Sequence, residues 1–270
     1  MKDSLITPGS GIMSLRMLHS ALLPVRFLPA AVPVARLLSN IILDRLKIRQ
    51  RHRLSTFFER LQAETQSARE AFLGIEQLGR GARGEISLET YIAFLVQAYH
   101  HVKHTVPLLM ACGSRIPMEK EWLRDAIAEY IEEETGHQEW ILNDIKACGG
   151  DPEIHRYGKP NPETELMVAY AYDMINRGNP VGFFGMVLVL EGTSIQLATN
   201  AAQAIQNSLN LPDTAFSYLS SHGSLDIEHM KFYESLVNRL DDENDQEAVM
   251  HVANMMYRLY GDVFRSLPLD

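Results

Sequence analysis

The sequence predicts an all-α fold, a single compact bundle of about seven helices. From residue 54 onward, apolar residues recur at helical spacing with charged residues between them. Glycine and proline separate these periodic segments, and no alternating run of useful length indicates a β-strand. With 270 residues, of which 46% are hydrophobic, the chain is long enough and apolar enough to bury a substantial core.

Local signals give the limits of each predicted helix in order. The first helix carries Phe57, Phe58 and Leu61 at helical spacing, and glycines near residue 80 mark the loop that follows. Ser87 is a typical N-cap for the second helix, and Gly149 follows the last residues of the third. Prolines open or separate the later helices. The predicted segments are 54–73, 88–109, 119–148, 163–177, 181–208, 212–239 and 243–265.

Charge divides the chain into a basic leader and an acidic body. Residues 1–53 hold nine Lys or Arg and two acidic residues, a net charge of +7, whereas residues 54–270 have a net charge of −16. We therefore predict an N-terminal extension over 1–53 and a helical domain over 54–270. The extension is similar to a targeting peptide or a membrane-surface segment, and its prolines would interrupt a long helix. The alternative is an extension that never folds onto the domain.

Composition narrows the function classes. The acidic body gives no support for binding nucleic acid, and the domain has no apolar run long enough to cross a membrane. Cys112 and Cys148 are too few for a disulfide framework, which favours a reducing, cytoplasmic location. The helical face over 236–260 is a candidate surface for a homodimer.

The most informative motif is His222-x3-Asp226-x2-His229. Steps of four and seven residues return to nearly the same face of an α-helix, so the three side chains should converge. Two imidazoles and a carboxylate suit a redox-active metal such as iron. On its own the motif is a weak signal, because a polar helix face would give the same pattern.

Two further clusters strengthen the metal hypothesis. Glu134-x2-His137 lies in a strongly helical and acidic stretch, where a solvated face is the plainer interpretation. Glu191 interrupts an apolar helical run and should be carried into the core, where a carboxylate needs a partner or a metal. Three histidines and three carboxylates on separate helices would suffice for two metal ions. A ferritin-like arrangement fits poorly, because the second helix offers only Glu89, at its very start.

These residues, with their order and spacing, resemble the heme-oxygenase-like di-iron oxidases, the iron-containing branch of the superfamily related to thiaminase II and PQQ synthase. The resemblance rests on Glu134-Thr-Gly-His137, on Glu191 in Leu-Glu-Gly-Thr, and on the His222 motif. Glu191 follows His137 by 54 residues and precedes His222 by 31 residues. The likeness covers residues 54–268 and implies a heme-oxygenase-like fold.

The resemblance also implies a site and a chemistry. It assigns two irons per chain, or a manganese–iron pair, that activate O2 to oxidise a small organic substrate; the electron donor is not indicated. Glu133 is an alternative to Glu134 as the first carboxylate ligand. The implied ligands are Glu134, His137, Glu191, His222, Asp226 and His229. The candidates for lining the substrate pocket are Tyr91, Tyr99, His101, His104, Phe183, Phe184 and Met186.

Other classes of function stay open at this point. A thiaminase-type hydrolase would need a cysteine nucleophile, and both cysteines fall near predicted helix ends. A metal-free enzyme similar to PQQ synthase could use the same polar residues to bind its substrate. A small-molecule-binding protein without catalysis is the third alternative.

Overall fold

The computed structural model describes residues 55–269, with the backbone alone for residue 196 and for residues 222–227. Every regular element in this part of the chain is helical, and three short 3-10 turns connect some of the α-helices. The α-helices are α1 (Phe57–Glu64), α2 (Gln66–Leu73), α3 (Glu76–Ala82), α4 (Leu88–Val102), α5 (Thr105–Gly113), α6 (Glu121–Glu134), α7 (His137–Ala147), α8 (Pro152–Arg156), α9 (Pro162–Arg177), α10 (Phe183–Leu209), α11 (Ser217–Val237) and α12 (Glu243–Arg265).

The predicted all-α class is confirmed, but the predicted count of about seven helices is wrong. Twelve α-helices are present in the described residues. Short breaks divide each of the first three predicted segments in two, and two short helices, α3 and α8, form where the sequence predicted loops. The first break falls at Thr65, whose hydroxyl donates to the Leu61 carbonyl at 2.7 Å. Another falls at Lys103 and His104, between α4 and α5, and the third falls at Thr135 and Gly136.

Side-chain caps fix the start of several helices, among them the predicted N-cap at Ser87. The Thr56 hydroxyl accepts a hydrogen bond from the Glu59 amide, and the Glu59 carboxylate accepts one from the Thr56 amide, which forms a capping box. Ser87 accepts from the Thr90 amide at the start of α4, as expected for an N-cap. Asp242 caps α12 by accepting from the Asn244 amide at 2.9 Å. Each cap satisfies an amide that the helix itself leaves without a partner.

The longest helix, α10, runs through the core and packs against α11, α12 and α3. Gly185 allows the close approach of α12, because a Cβ at this position would overlap the backbone of Val249 and Ala253. On the other side, the buried Tyr233 hydroxyl of α11 donates to the Phe184 carbonyl at 2.8 Å. The position of α10 matters for function because this helix carries Glu191.

None of the described helices is by itself both long enough and apolar enough to cross a membrane. The bent pair Pro180–Ile195 and Leu197–Leu209, with 44° between its parts, meets the length and composition criteria only when the two parts are taken together. Most of its first part is buried in the core. The predicted extension over 1–53 lies outside the described residues, so the domain boundary near residue 54 stays a prediction.

Candidate metal centre

The first carboxylate of the site lies at the end of α6, beside a sharp break in the chain. Gly136 has a φ of +97°, a left-handed conformation that ends the helix and that glycine adopts without strain. Glu134 is the last residue of α6, and His137 is the first residue of α7. The two residues therefore face each other across a turn rather than lying one turn apart on a continuous helix.

Glu191 is buried, as its apolar sequence context predicts. It lies in the middle of α10 after a run of core residues, and only 9% of its surface is exposed. The neighbouring Thr193 hydroxyl donates to the Val189 carbonyl at 2.7 Å and does not compete for the carboxylate. A buried carboxylate costs several kcal/mol unless a partner or a cation balances it, so this position requires a local explanation.

Three of the predicted ligands converge on one point. Glu134, Glu191 and His229 each offer a ligand atom, and these atoms lie within 4.8 Å of one another. They come from α6, α10 and α11, so tertiary packing alone brings them together. His229 Nδ1 is 3.9 Å from Glu191 Oε1. Two carboxylates and one imidazole at this separation match the oxygen and nitrogen donors that divalent iron or manganese takes in proteins.

His137 and Glu133 border the same cluster. His137 is buried, and its Nδ1 is 3.0 Å from Glu134 Oε2. Its ring also stacks on Trp140, with 4.0 Å between the ring centroids. Glu133 is more exposed and lies 3.2 Å from His229 Nε2. Both Glu133 and Glu134 therefore lie at the site, where the sequence left them as alternatives.

The other two predicted ligands are His222 and Asp226. Both positions belong to α11, the helix that also carries His229. Their side chains lie outside the described residues, so their role as ligands stays a prediction. The helical backbone does maintain the spacing on which that prediction depends, because residues 222, 226 and 229 follow one another at steps of four and three residues.

Sequence reasoning missed Tyr130, which lies one turn before Glu134 on α6. Its side chain is buried, and its hydroxyl has no hydrogen-bond partner among the described residues. Its ring packs edge-on against His229, with 6.2 Å between the ring centroids. Burial raises the pKa of Tyr130, and the nearby Glu191 carboxylate raises it further, so the phenol stays a hydrogen-bond donor. In the sequence, the one sign that Tyr130 belongs to the site is its spacing of four residues from Glu134, which places the two side chains on the same face of a helix.

A cavity of about 170 Å³ reaches Tyr130, Glu134 and Glu191. Its wall is largely apolar and comes from eight of the described helices, with most of the lining residues on α3, α4 and α10. Of the residues predicted to line a pocket, the cavity includes Tyr91, His101, Phe183 and Met186. The candidate metal-binding cluster therefore borders a mostly hydrophobic chamber.

The other predicted pocket residues, Tyr99, His104 and Phe184, lie elsewhere, and the expectation for them is corrected. Tyr99 is two positions, or about 200°, from His101 on the same helix, so it faces away from the cavity. His104 follows the end of α4, and its Nδ1 is 3.2 Å from the Tyr172 hydroxyl. Phe184 is turned by about 100° from Phe183 and is fully buried in the core.

The cysteines are buried and do not line the cavity. Cys112 donates from Sγ to the Pro180 carbonyl, and burial raises the pKa of its thiol to about 12. Burial, with help from Asp144, raises the pKa of Cys148 to about 11. A cysteine nucleophile reacts as the thiolate, which these surroundings disfavour.

Fold and site together define a helical protein in which a buried carboxylate–imidazole cluster borders an apolar cavity. A match to the family described as iron-containing redox enzyme spans residues 92–261 and includes every predicted ligand. The chain belongs to this family. A comparison with curated proteins found no match.

Solved structures confirm the heme-oxygenase-like fold. A domain of unknown function with a heme oxygenase-like fold from Shewanella denitrificans OS217 has a TM-score of 0.71 and 21% identity, over 77% of this chain and 90% of that chain. A TenA homologue from Pseudomonas syringae pv. tomato DC3000 has a TM-score of 0.65 and 11% identity, over 77% and 91%. Heme oxygenase-1 from Synechocystis sp. PCC6803, in complex with heme, has a TM-score of 0.62 and 11% identity, over 78% and 91%.

Proposed function

We propose that this protein is an iron-dependent oxidoreductase that activates O2 at a carboxylate–histidine site to oxidise a small organic substrate. The observation that carries the proposal is the convergence of Glu134, Glu191 and His229 within 4.8 Å beside an apolar cavity. Membership in a family of iron-containing redox enzymes supports iron as the metal. Two metal ions, as iron or as a manganese–iron pair, are proposed on the full set of six ligands.

Each residue of the cluster has a distinct task in this proposal. Glu134, Glu191 and His229 would hold the metal, with His137, His222 and Asp226 completing the set. Iron, when bound, would supply a redox-active centre that can donate electrons to O2. The contact between His137 Nδ1 and Glu134 would fix the orientation of that carboxylate, and the His229 ring is held between Glu133 and Glu191.

The apolar wall contributes by excluding water from the reacting groups. Phe183, Met186 and Leu190 lie within two turns before Glu191 on α10 and line the cavity with it. A dry wall strengthens each electrostatic interaction at the cluster and limits side reactions with solvent. Tyr130 supplies a neutral hydrogen-bond donor at the same place.

The alternative is a metal-free enzyme or a small-molecule-binding protein of the same fold, in which Glu134, Glu191 and His229 would bind substrate directly. A thiaminase-type mechanism through a cysteine is disfavoured, because burial raises the pKa of Cys112 and Cys148 and neither residue lines the cavity. The metal content of the protein distinguishes the proposed function from both a metal-free enzyme and a small-molecule-binding protein.

The test is elemental analysis of protein expressed with iron and purified without oxygen. We expect about two metal ions per chain, as stated by the proposal, and a spectral change on addition of O2. Glu191→Ala and His229→Ala should each weaken metal binding at least about tenfold. The control His251→Ala removes an exposed histidine from α12 and should bind metal like the parent.

A parent protein that takes up no iron or manganese after anaerobic reconstitution would refute the proposal and favour the metal-free alternative. A heme absorption band accounting for all of the iron would also refute it. Equal metal content in the parent and in both ligand variants would show that the iron is bound elsewhere.

A further inference from the structure

We propose that the substrate is a mainly aliphatic molecule whose single polar end lies beside Tyr130 and Glu191 and whose apolar body extends toward α3. This inference rests on the proposed function, because it names the class of substrate for that same site.

The body of the cavity is mostly apolar. Aromatic and aliphatic side chains from α2, α4, α10 and α12 form its wall, among them Phe72, Phe94, Met186, Leu197 and Phe264. Burying a polar group without a hydrogen bond costs about 1–3 kcal/mol in proteins, whereas each buried methylene contributes about 0.8 kcal/mol. The wall therefore favours a hydrocarbon body.

One polar contact does remain available beside the metal cluster. The Tyr130 hydroxyl is buried, lines the cavity, and has no acceptor among the described residues. The Thr193 hydroxyl, which also lines the cavity, is instead bonded to the Val189 carbonyl. An alcohol or carbonyl oxygen on the substrate would accept the Tyr130 hydrogen bond, which places that end next to Glu134 and Glu191.

Small residues give the cavity its width and its more open side. The lining residues of α3 are only half-buried, and they include Gly81 and Ala82. Across from them, Ala198 and Ala201 of α10 leave space that larger side chains would fill. A long molecule can therefore lie between α3 and α10 with its far end toward the more exposed part of the wall.

The experiment measures binding to metal-free protein, kept in chelator, so that it does not depend on iron. Nile red, a neutral apolar dye, serves as the fluorescent probe, and decanol and octanol compete with it at pH 7. Ala198→Phe and Ala201→Phe fill the cavity from two positions. Thr199→Phe adds the same bulk at an exposed position of α10 and is the matched control.

We expect saturable dye binding to the parent and to Thr199→Phe, and binding at least about tenfold weaker in the two cavity-filling variants. Decanol should compete about fifteenfold better than octanol, because it has two more methylenes and each contributes about fourfold.

Three results would each overturn the inference. The first is the absence of saturable binding of dye and decanol to the folded parent. The second is binding in a folded cavity-filling variant equal to that of the parent. The third is binding of octanol that is as tight as the binding of decanol. Because the competition series uses the parent protein, it decides the matter even where a variant fails to fold. Failure of metal binding leaves these results unaffected, so the two proposals fail separately.

Discussion

Replacing Glu191 by leucine should stabilise the metal-free protein and abolish its stabilisation by metal. Glu191 is 9% exposed and follows a run of core residues on α10. A leucine of similar volume would continue the apolar run without leaving a large cavity. The substitution therefore separates the two roles of this position, as a buried charge in the apoprotein and as a ligand in the loaded protein.

The magnitude follows from the distance between the carboxylates. Ligand atoms of Glu134 and Glu191 lie within 4.8 Å of each other, so two ionised carboxylates would repel by about 3.5 kcal/mol at an effective dielectric constant of ~20. Contacts with the imidazoles of His137 and His229 offset part of this repulsion. We expect a net gain of about 1–2 kcal/mol for the metal-free variant, a typical result of replacing a buried charge by a hydrophobic residue.

Thermal unfolding, followed by circular dichroism under anaerobic conditions, measures both effects. In chelator, Glu191→Leu should melt about 2–8 °C above the parent, at about 2–4 °C for each kcal/mol in a domain of this size. Fe(II) at a hundredfold excess over its Kd should raise the Tm of the parent by about 5–10 °C, from about 2.7 kcal/mol of binding linkage. The same Fe(II) should not raise the Tm of the variant.

The control is Glu165→Leu, which removes an exposed acid from α9. It should change the Tm in chelator and the Tm with Fe(II) by no more than about 2 °C each. It accounts for the general effect of lowering the negative charge of the chain. A metal-free Glu191→Leu protein that melts several degrees below the parent would refute the charge-repulsion argument. A full Fe(II)-dependent rise in its Tm would refute the ligand assignment.

Four further outcomes are expected. Tyr130→Phe should retain metal but bind decanol about two- to tenfold more weakly, as measured by dye displacement, because one hydrogen bond is lost. His222→Ala should lower iron content and the O2-dependent spectral change, with helicity unchanged; parent-like iron binding would remove it from the ligand set. Because burial raises the pKa of Cys112 to about 12, its thiol should stay protonated at pH 8 and resist iodoacetamide until the protein unfolds; rapid labelling of the folded protein would contradict this. A chain that begins at residue 54 should melt cooperatively within a few degrees of the full chain, and insolubility would place the domain boundary earlier.

The sequence predicts most of the fold because its helix signals are local. Ser87 and Asp242 act on amides within three residues, and the apolar periodicity of each helix is independent of its partners. Breaks inside a periodic segment are harder to predict. Gly136 is a single glycine in an otherwise helical run, and only its left-handed backbone separates α6 from α7. The sequence therefore predicted one helix where there are two.

The site was predictable to the extent that burial follows from sequence context. Glu191 is surrounded by apolar residues along the chain, so its burial could be expected from the cost of placing a carboxylate there. The neighbours of His229 could not be predicted in the same way. Its contacts with Glu133 and Glu191 depend on how closely α11 packs against α6 and α10, and no local pattern encodes that distance.

The break at Gly136 also changes the meaning of the Glu134-x2-His137 motif. On one continuous helix, the two side chains would lie side by side on one face and approach the metal from the same direction. Here the chain turns between them, so Glu134 ends α6 while His137 begins α7, and the 3.0 Å contact joins two helices. Any shift of α7 relative to α6 would therefore move His137 against the carboxylate that it orients. The Glu134-x2-His137 motif therefore contributes two candidate ligands, and the distance between them depends on how α6 and α7 pack.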